Sequence, residues 1–286
     1  KKDTYSVTLY YQDAKGCLIP VTVGIPKVEG IAKASLSCLV DNALNREKVE
    51  YYGLYPVLPK DTVIQGINIK DGLATVDFNT KVLNYTTQTE ERNIIASIVY
   101  TLTEFSTIDN VKILVNGYEQ GKLKFNTDIS GILNRDNIMI NSSTANLQSG
   151  LDKSDIYVFK EVNDKYTYLV PLSVEHSKVD LQYLPIKIME LYDLDYGKEF
   201  TSGIPEGTKL ISCSISGDQI LLNFNDKLKS YEGGAEKEKQ ILQQIMHSMK
   251  QIANVKKIKI LIDGKEATLP EGTQISQFVL LPNEIN

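Results

Sequence analysis

Apolar and polar positions follow two periodicities along this chain. Val7 to Tyr11 and Cys17 to Ile25 flank Asp13-Ala14-Lys15-Gly16, and Cys17, Ile19, Val21, Val23 and Ile25 alternate onto one face, which predicts two strands about a turn. Ile31 to Leu44 places Ile31, Ser35, Cys38 and Leu39 at helical spacing, with Ala32, Leu36 and Ala43 widening the apolar side, so one mostly buried helix is expected. Val63 to Lys70 and Leu73 to Phe78 enclose Asp71-Gly72, a pair that accepts positive φ, and predict a hairpin. Thr87 and Glu90 stand at capping-box spacing ahead of Ile94, Ile95, Ile98, Val99, Leu102 and Phe105, the stripe of a second helix. Val111 to Val115, closed by Asn116-Gly117, is a last strand.

The same order then recurs. Leu58-Pro59-Lys60-Asp61-Thr62 realigns with Ile204-Pro205-Glu206-Gly207-Thr208, and Val76-Asp77-Phe78-Asn79 with Leu222-Asn223-Phe224-Asn225, both 146 residues on. Val111 to Gly117 realigns with Ile258 to Gly264 at 147, and Leu18-Ile19-Pro20 with Leu169-Val170-Pro171 at 151. Ile241, Leu242, Ile245, Met246, Met249 and Ile252 repeat the second helix. The pattern predicts an α+β protein of two tandem modules, 1–120 and 151–270, each a largely antiparallel sheet with two helices packed on one face. Residues 121–150 would connect them, and 271–286 would form a C-terminal tail. The connection carries Ile129, Ile132, Leu133, Ile138 and Ile140, and the tail carries Phe278 to Leu281, so both have apolar surface to bury. Leu123-Lys124-Phe125 is a candidate edge strand of the first sheet.

Composition narrows the class without supplying chemistry. Thirty-one Lys plus Arg against 36 Asp plus Glu leave a net charge of −5, with no cationic excess to neutralise nucleic acid. No apolar run exceeds four residues, far short of the roughly 20 that a membrane-spanning helix needs. The chain begins Lys1-Lys2-Asp3-Thr4-Tyr5, which reads as the trimmed soluble part of something longer. Cys17, Cys38 and Cys213 form no metal or disulfide spacing and fall on apolar faces, as core residues would. His176 is expected in a solvated loop and His247 at the boundary of a helix, neither as a ligand or base. Asp77 reads as a solvent-facing strand or turn residue, since its counterpart is Asn223 and no carboxylate pair repeats. Glu90 and Glu91 read as first-turn caps. Neither catalytic nor metal nor cofactor residues are assigned, and no enzyme activity is expected. Tyr51, Tyr52 and Tyr55, in the loop between first helix and hairpin, are the candidate interaction surface; the alternative is that their rings cover the end of their own core.

One set of motifs does carry a resemblance. Val7-Thr8-Leu9-Tyr10-Tyr11, Leu18-Ile19-Pro20-Val21, Gly53-Leu54-x-Pro56-x-Leu58-Pro59-x-x-Thr62, Ala74-Thr75-Val76-Asp77-Phe78, Glu90-Glu91-Arg92 and Ile98-Val99-Tyr100-Thr101-Leu102-Thr103, in that order, resemble the GerMN domain. The second copy keeps Leu169-Val170-Pro171, Ile204-Pro205-x-Gly207-Thr208, the hairpin and the helix. The resemblance implies a ring-building-motif-like architecture and a membrane-anchored lipoprotein of endospore formers, needed for sporulation and germination. It further implies a non-enzymatic scaffold in the space between mother cell and forespore membranes. Its partners would be proteins of the sporulation channel complex, with peptidoglycan or a small ligand as the alternative, and membrane contact only through a lipid anchor.

Overall fold

The computed structural model describes residues 3–286, which form two compact units. Unit 1 runs to Ser149 and takes in Val162–Ser173 and Glu284–Asn286; unit 2 comprises Gly150–Glu161 and Val174–Asn283. Each holds one copy of the four-stranded sheet and long helix of the repeat.

In unit 1, β1 (Thr4–Gln12) and β2 (Leu18–Pro26) pair antiparallel from Thr4↔Pro26 to Gln12↔Leu18. Asp13 fixes their turn, its carboxylate accepting the amides of Lys15 and Cys17 at 3.0 and 2.9 Å. The expected helix over 31–44 is instead two, α1 (Ile31–Ser37) and α2 (Ala43–Val49). The chain between them is pulled extended because Val40 bridges Leu58 and the Asp41 amide donates to the Leu58 carbonyl at 2.8 Å. Asn42 then caps α2, accepting the Asn45 amide at 2.8 Å.

β3 (Ile64–Lys70) and β4 (Leu73–Phe78) form the expected hairpin, with Asp71 and Gly72 at φ 50° and 78°. α3 (Gln88–Thr103) carries the chain back, so β5 (Asn110–Val115) runs parallel to β4, and β6 (Tyr118–Glu119) pairs antiparallel with β5. The sheet β3-β4-β5-β6 is therefore antiparallel at both ends with one parallel pair, which a helical crossover makes possible. Ala74, Val76 and Phe78 alternate inward beside Val111, Ile113 and Val115, all buried. Each of the valine, isoleucine and phenylalanine side chains contributes roughly 1.5–3 kcal/mol when removed from water. α3 is buried on nearly every side because β1 also packs on it. Its polar Ser97 and Thr101 serve that contact: the Ser97 hydroxyl donates to the Tyr10 carbonyl at 2.7 Å, and the Tyr10 amide donates to Thr101 at 3.3 Å.

The connecting segment belongs to the core of unit 1. Ile129, Leu133, Ile138 and Ile140 are buried, and Leu133 bridges Val111 antiparallel. β6 takes the edge position considered for Leu123–Phe125, which instead turns back through a Leu123 amide bond to the Thr127 carbonyl. Two asparagines stitch matching segments within the same unit. The Asn141 side chain accepts the Leu18 amide at 2.8 Å and donates to the Leu18 and Pro171 carbonyls, both at 2.9 Å. Asn286 accepts the Leu169 amide at 2.8 Å and donates to the Leu169 and Pro20 carbonyls at 2.7 and 2.9 Å.

The second copy repeats the order. β7 (Asp152–Val162) and β8 (Tyr166–His176) are its hairpin strands, α4 (Leu184–Glu190) follows a 3-10 turn at Leu181–Tyr183, and β9 (Phe200–Thr201) pairs with β7. β10 (Leu210–Ser216) and β11 (Gln219–Phe224) form the second hairpin, α5 (Gly234–Met249) crosses over, and β12 (Lys257–Ile262) lies parallel to β11. β13 (Val279–Leu280) pairs with β12, so the tail does lie on this sheet, but of the apolar run expected to be buried only Leu281 is; Phe278, Val279 and Leu280 stay exposed because the strand is an outer edge. Ile220, Leu222, Phe224, Ile241, Ile245, Met249, Ile258 and Ile260 form the core of unit 2.

Candidate functional site

Tyr51 and Tyr52 sit in a single 3-10 turn after α2, and Gly53 closes it at φ 74°. A Cβ on Gly53 would lie 2.5 Å from Val162 Cγ1, so glycine is required both for the backbone angle and for the close approach. That approach brings Lys165, Tyr166 and Tyr168 to the loop. Tyr52 lies 5.6 Å from Tyr166 edge-on, and Tyr166 stacks on Tyr168 at 6.1 Å. Lys165 Nζ donates to the Tyr51 hydroxyl at 2.8 Å and lies 4.4 Å from the Tyr51 ring centre and 5.1 Å from that of Tyr166. This hydrogen bond lowers the Tyr51 phenol and raises the Lys165 ammonium. Tyr168 donates to the Tyr52 carbonyl at 2.7 Å, and burial pushes its phenol up to about 12. Tyr51 remains 68% and Tyr52 47% exposed, so the rings form an outward patch and do not cover the core.

Tyr55 is not part of that patch. Its backbone bridges Gln12, and its ring faces Arg46 at 5.8 Å, on the wall of a cleft of about 630 Å³ in unit 1. The β1–β2 turn, the 55–60 loop and the start of α3 line this cleft, which is polar and of mixed charge, with Lys15, Arg46 and Lys60 opposed by Asp41 and Glu90. Arg46 is already engaged by Asp41 and Glu50.

Three side chains depart from expectation. Glu91 is not a first-turn cap but fully buried: Tyr85 donates to its Oε2 at 2.6 Å, the Phe125 amide to Oε2 at 2.9 Å and the Thr127 amide to Oε1 at 3.0 Å. Burial pushes this carboxyl up, but the bonds from Tyr85, Thr127 and Phe125 outweigh it and hold it below the ordinary range. Glu238 repeats the arrangement with Tyr231 at 2.6 Å and the amides of Glu271 and Thr273 at 2.8 and 3.1 Å. The signal was available, since a tyrosine, a glutamate and a threonine recur at offsets of 146, 147 and 146. His176 is buried, not solvated, its Nε2 2.8 Å from the Ser154 hydroxyl and its Nδ1 2.8 Å from the Ser177 carbonyl. His247 is buried too, 5.5 Å from the Tyr157 ring, because α5 packs its polar flank on β7.

The remaining candidates have structural partners. Asp77 accepts the Gly117 amide at 2.7 Å and Asn223 accepts the Gly264 amide at the same distance, so either residue type closes the turn. Glu90 does cap: it accepts the Thr86 amide at 3.0 Å while its own amide donates to Thr87 at 3.2 Å. Cys17 is buried; Cys38 and Cys213 are half-buried, and burial pushes both of those thiols up. Among the described residues no group of His, Cys, Asp and Glu is placed to hold a metal, and no helix is long and apolar enough to cross a membrane.

Comparison with known proteins gives consistent results. The model of the Germane family, described as sporulation and spore germination, matches residues 8–121 and 157–268, once on each copy. The spore germination protein GerM of Bacillus subtilis is 29% identical over 97% of this chain and 77% of its own length. The solved structure of the tandem GerMN domains of the sporulation protein GerM from Bacillus subtilis superposes with a TM-score of 0.85 at 26% identity, covering 99% of each chain.

Proposed function

This chain belongs to the Germane family of sporulation and spore germination, and from that premise we propose that it is a non-enzymatic scaffold or assembly protein of the cell envelope in endospore formation and germination. It docks to the channel complex between mother cell and forespore, in the space between their membranes, and a lipid anchor holds it there. A role in sporulation and germination follows from the family and from GerM, which it matches over both modules; docking is the finer step. The observation that supports docking is the patch of Tyr51 and Tyr52 with Lys165 and Tyr166: large rigid rings that cost little entropy to immobilise, with polar tips, are what interfaces favour.

Crosslinking and capture of the protein from sporulating cells, beside a Tyr51/Tyr52/Tyr55 triple-Ala variant, tests this. Recovery of channel proteins by the wild type, reduced in the variant, supports docking at the loop. The second reading, a peptidoglycan or small-ligand module, is favoured by the polar cleft of about 630 Å³. Recovery of glycan with no protein partner would put that reading first.

A further inference from the structure

The two stitching asparagines are equivalent, and the residues before them complete a reciprocal pattern. Ile140-Asn141 follows the last strand of the first copy, and Ile285-Asn286 follows that of the second, 145 residues on. Both asparagines hold the left-handed conformation, at φ 52° and 51°. Ile140 donates its amide to the Ser173 hydroxyl at 2.9 Å and accepts the Ser173 amide at 3.0 Å. Ile285 does the same with Thr22, at 2.9 Å in both directions. Thr22 and Ser173 lie 151 residues apart, as do Pro20 and Pro171. Each copy's Ile-Asn pair is therefore seated along the hairpin strand of the other copy, and all of these residues belong to unit 1. The two seats differ in what leads to them. Ile140 follows Ile138 and Met139, and all three are buried. Ile285 is half-buried and follows Asn283 and Glu284, which are exposed and hydrogen-bond to no described residue; Asn286 is itself exposed. Leu281 anchors this short arm, donating to the Lys256 carbonyl at 2.8 Å, and Pro282 fixes its own φ and keeps Leu281 extended. The arm is stiff where it leaves its anchor and free over the next two residues.

We propose that Ile285-Asn286 is an exchangeable latch, which leaves its seat on Pro20, Thr22 and Leu169 and fills the same seat on a second copy of this chain, while that copy's latch fills the seat vacated. The seat itself selects the occupant. The same Ile-Asn pair, with the same left-handed asparagine, fills both equivalent seats, and a second copy carries pair and seat together. Reciprocal exchange about a two-fold axis keeps all five hydrogen bonds that hold the latch, two through Thr22 and three through the Asn286 side chain. Closed and exchanged forms then differ mainly in the entropy of tethering. A short tether presents its latch at an effective concentration on the order of 1 mM, and because the contacts cancel, that concentration sets the dimer Kd. The closed form dominates in dilute solution, and the exchanged dimer forms where the chain is concentrated.

Sedimentation equilibrium of the full chain, with a synthetic peptide of residues 281–286 as competitor, tests the exchange. The wild type should show a monomer–dimer equilibrium with a Kd of about 1 mM. The peptide at about 10 mM should occupy the seats and return the wild type to monomer, whereas the same peptide carrying Asn286→Ala should not. Asn286→Ala in the chain removes three of the five hydrogen bonds and should raise the dimer Kd at least about tenfold. The native peptide, fluorescently labelled, should bind that variant at least about tenfold more tightly than the wild type, whose own latch holds the seat. A wild type wholly monomeric at about 1 mM, a dimer that the native peptide leaves intact, a variant that dimerises undiminished, or peptide binding equal in both chains each overturns the proposal. Should Asn286→Ala fail to fold, competition by the two peptides on the native chain decides alone.

Discussion

Replacing Glu91 by glutamine isolates the charge of a buried carboxylate that has no exposed atom. Oε2 accepts from Tyr85 and Phe125, and Oε1 from Thr127. Glutamine has a single acceptor oxygen, so its best rotamer keeps the first two bonds and turns its amide nitrogen toward the buried Thr127 amide. Leaving that donor unpaired costs about 1–3 kcal/mol, and the two surviving bonds weaken from charge-assisted to neutral. Release of the desolvated charge offsets part of this, leaving a net loss of about 2–4 kcal/mol. For a unit of this size that is roughly 5–12 °C in melting temperature. The sign with pH follows from the lowered carboxyl. Its contribution is complete above the ordinary carboxylate range and is lost as pH falls through the folded value, so the gap between wild type and Glu91→Gln should be widest at pH 7 and narrower at pH 4. Calorimetry at both pH values measures it, and Glu238→Gln supplies a replicate in unit 2, where Tyr231, Glu271 and Thr273 donate in the same way. A shift below about 1 °C in both variants, or a gap indifferent to pH, would refute the reasoning.

Other substitutions separate turn chemistry from packing. Asp77→Asn should leave urea stability within about 0.5 kcal/mol, because Asn223 does the same work, whereas Asp77→Ala should cost about 1 kcal/mol by freeing the Gly117 amide. Asn141→Ala removes three hydrogen bonds at a residue held at φ 52° and should cost about 2–4 kcal/mol by the same assay; a near-neutral result would mean that the stitch between Leu18 and Pro171 is dispensable. Gly53→Ala meets Val162 Cγ1 at 2.5 Å and should lower the melting temperature by several degrees, with Tyr51 and Tyr52 more accessible to iodination or nitration.

Local periodicity and the internal repeat made most of this architecture readable. Ile94 to Phe105 and Ile241 to Ile252 announce α3 and α5, and Asp71-Gly72 announces its hairpin, because each signal lies within a few residues of the structure it dictates. What escaped reading depends on contacts distant in sequence. The break between α1 and α2 arises from Leu58, and the parallel pairing of β4 with β5 from the path of α3. Glu91 looked like a helix cap because its partners lie 34 and 36 residues on. His247 seemed a boundary residue because Tyr157, which covers it, belongs to another strand. The candidate surface was half readable for the same reason. Tyr51 and Tyr52 stood out by composition, but Lys165 and Tyr166 join them across more than 110 residues, and Tyr55 turns instead to the cleft.

The central claim is docking to protein partners of the sporulation channel, and equilibrium binding of the purified full chain tests it most directly. Immobilised extracytoplasmic domains of the channel proteins and intact peptidoglycan sacculi would be titrated in parallel. Saturable binding to a channel domain, weakened at least about tenfold by the Tyr51/Tyr52/Tyr55 triple-Ala variant and absent from sacculi, is the predicted result. Saturable binding to sacculi with none to any channel domain would contradict it.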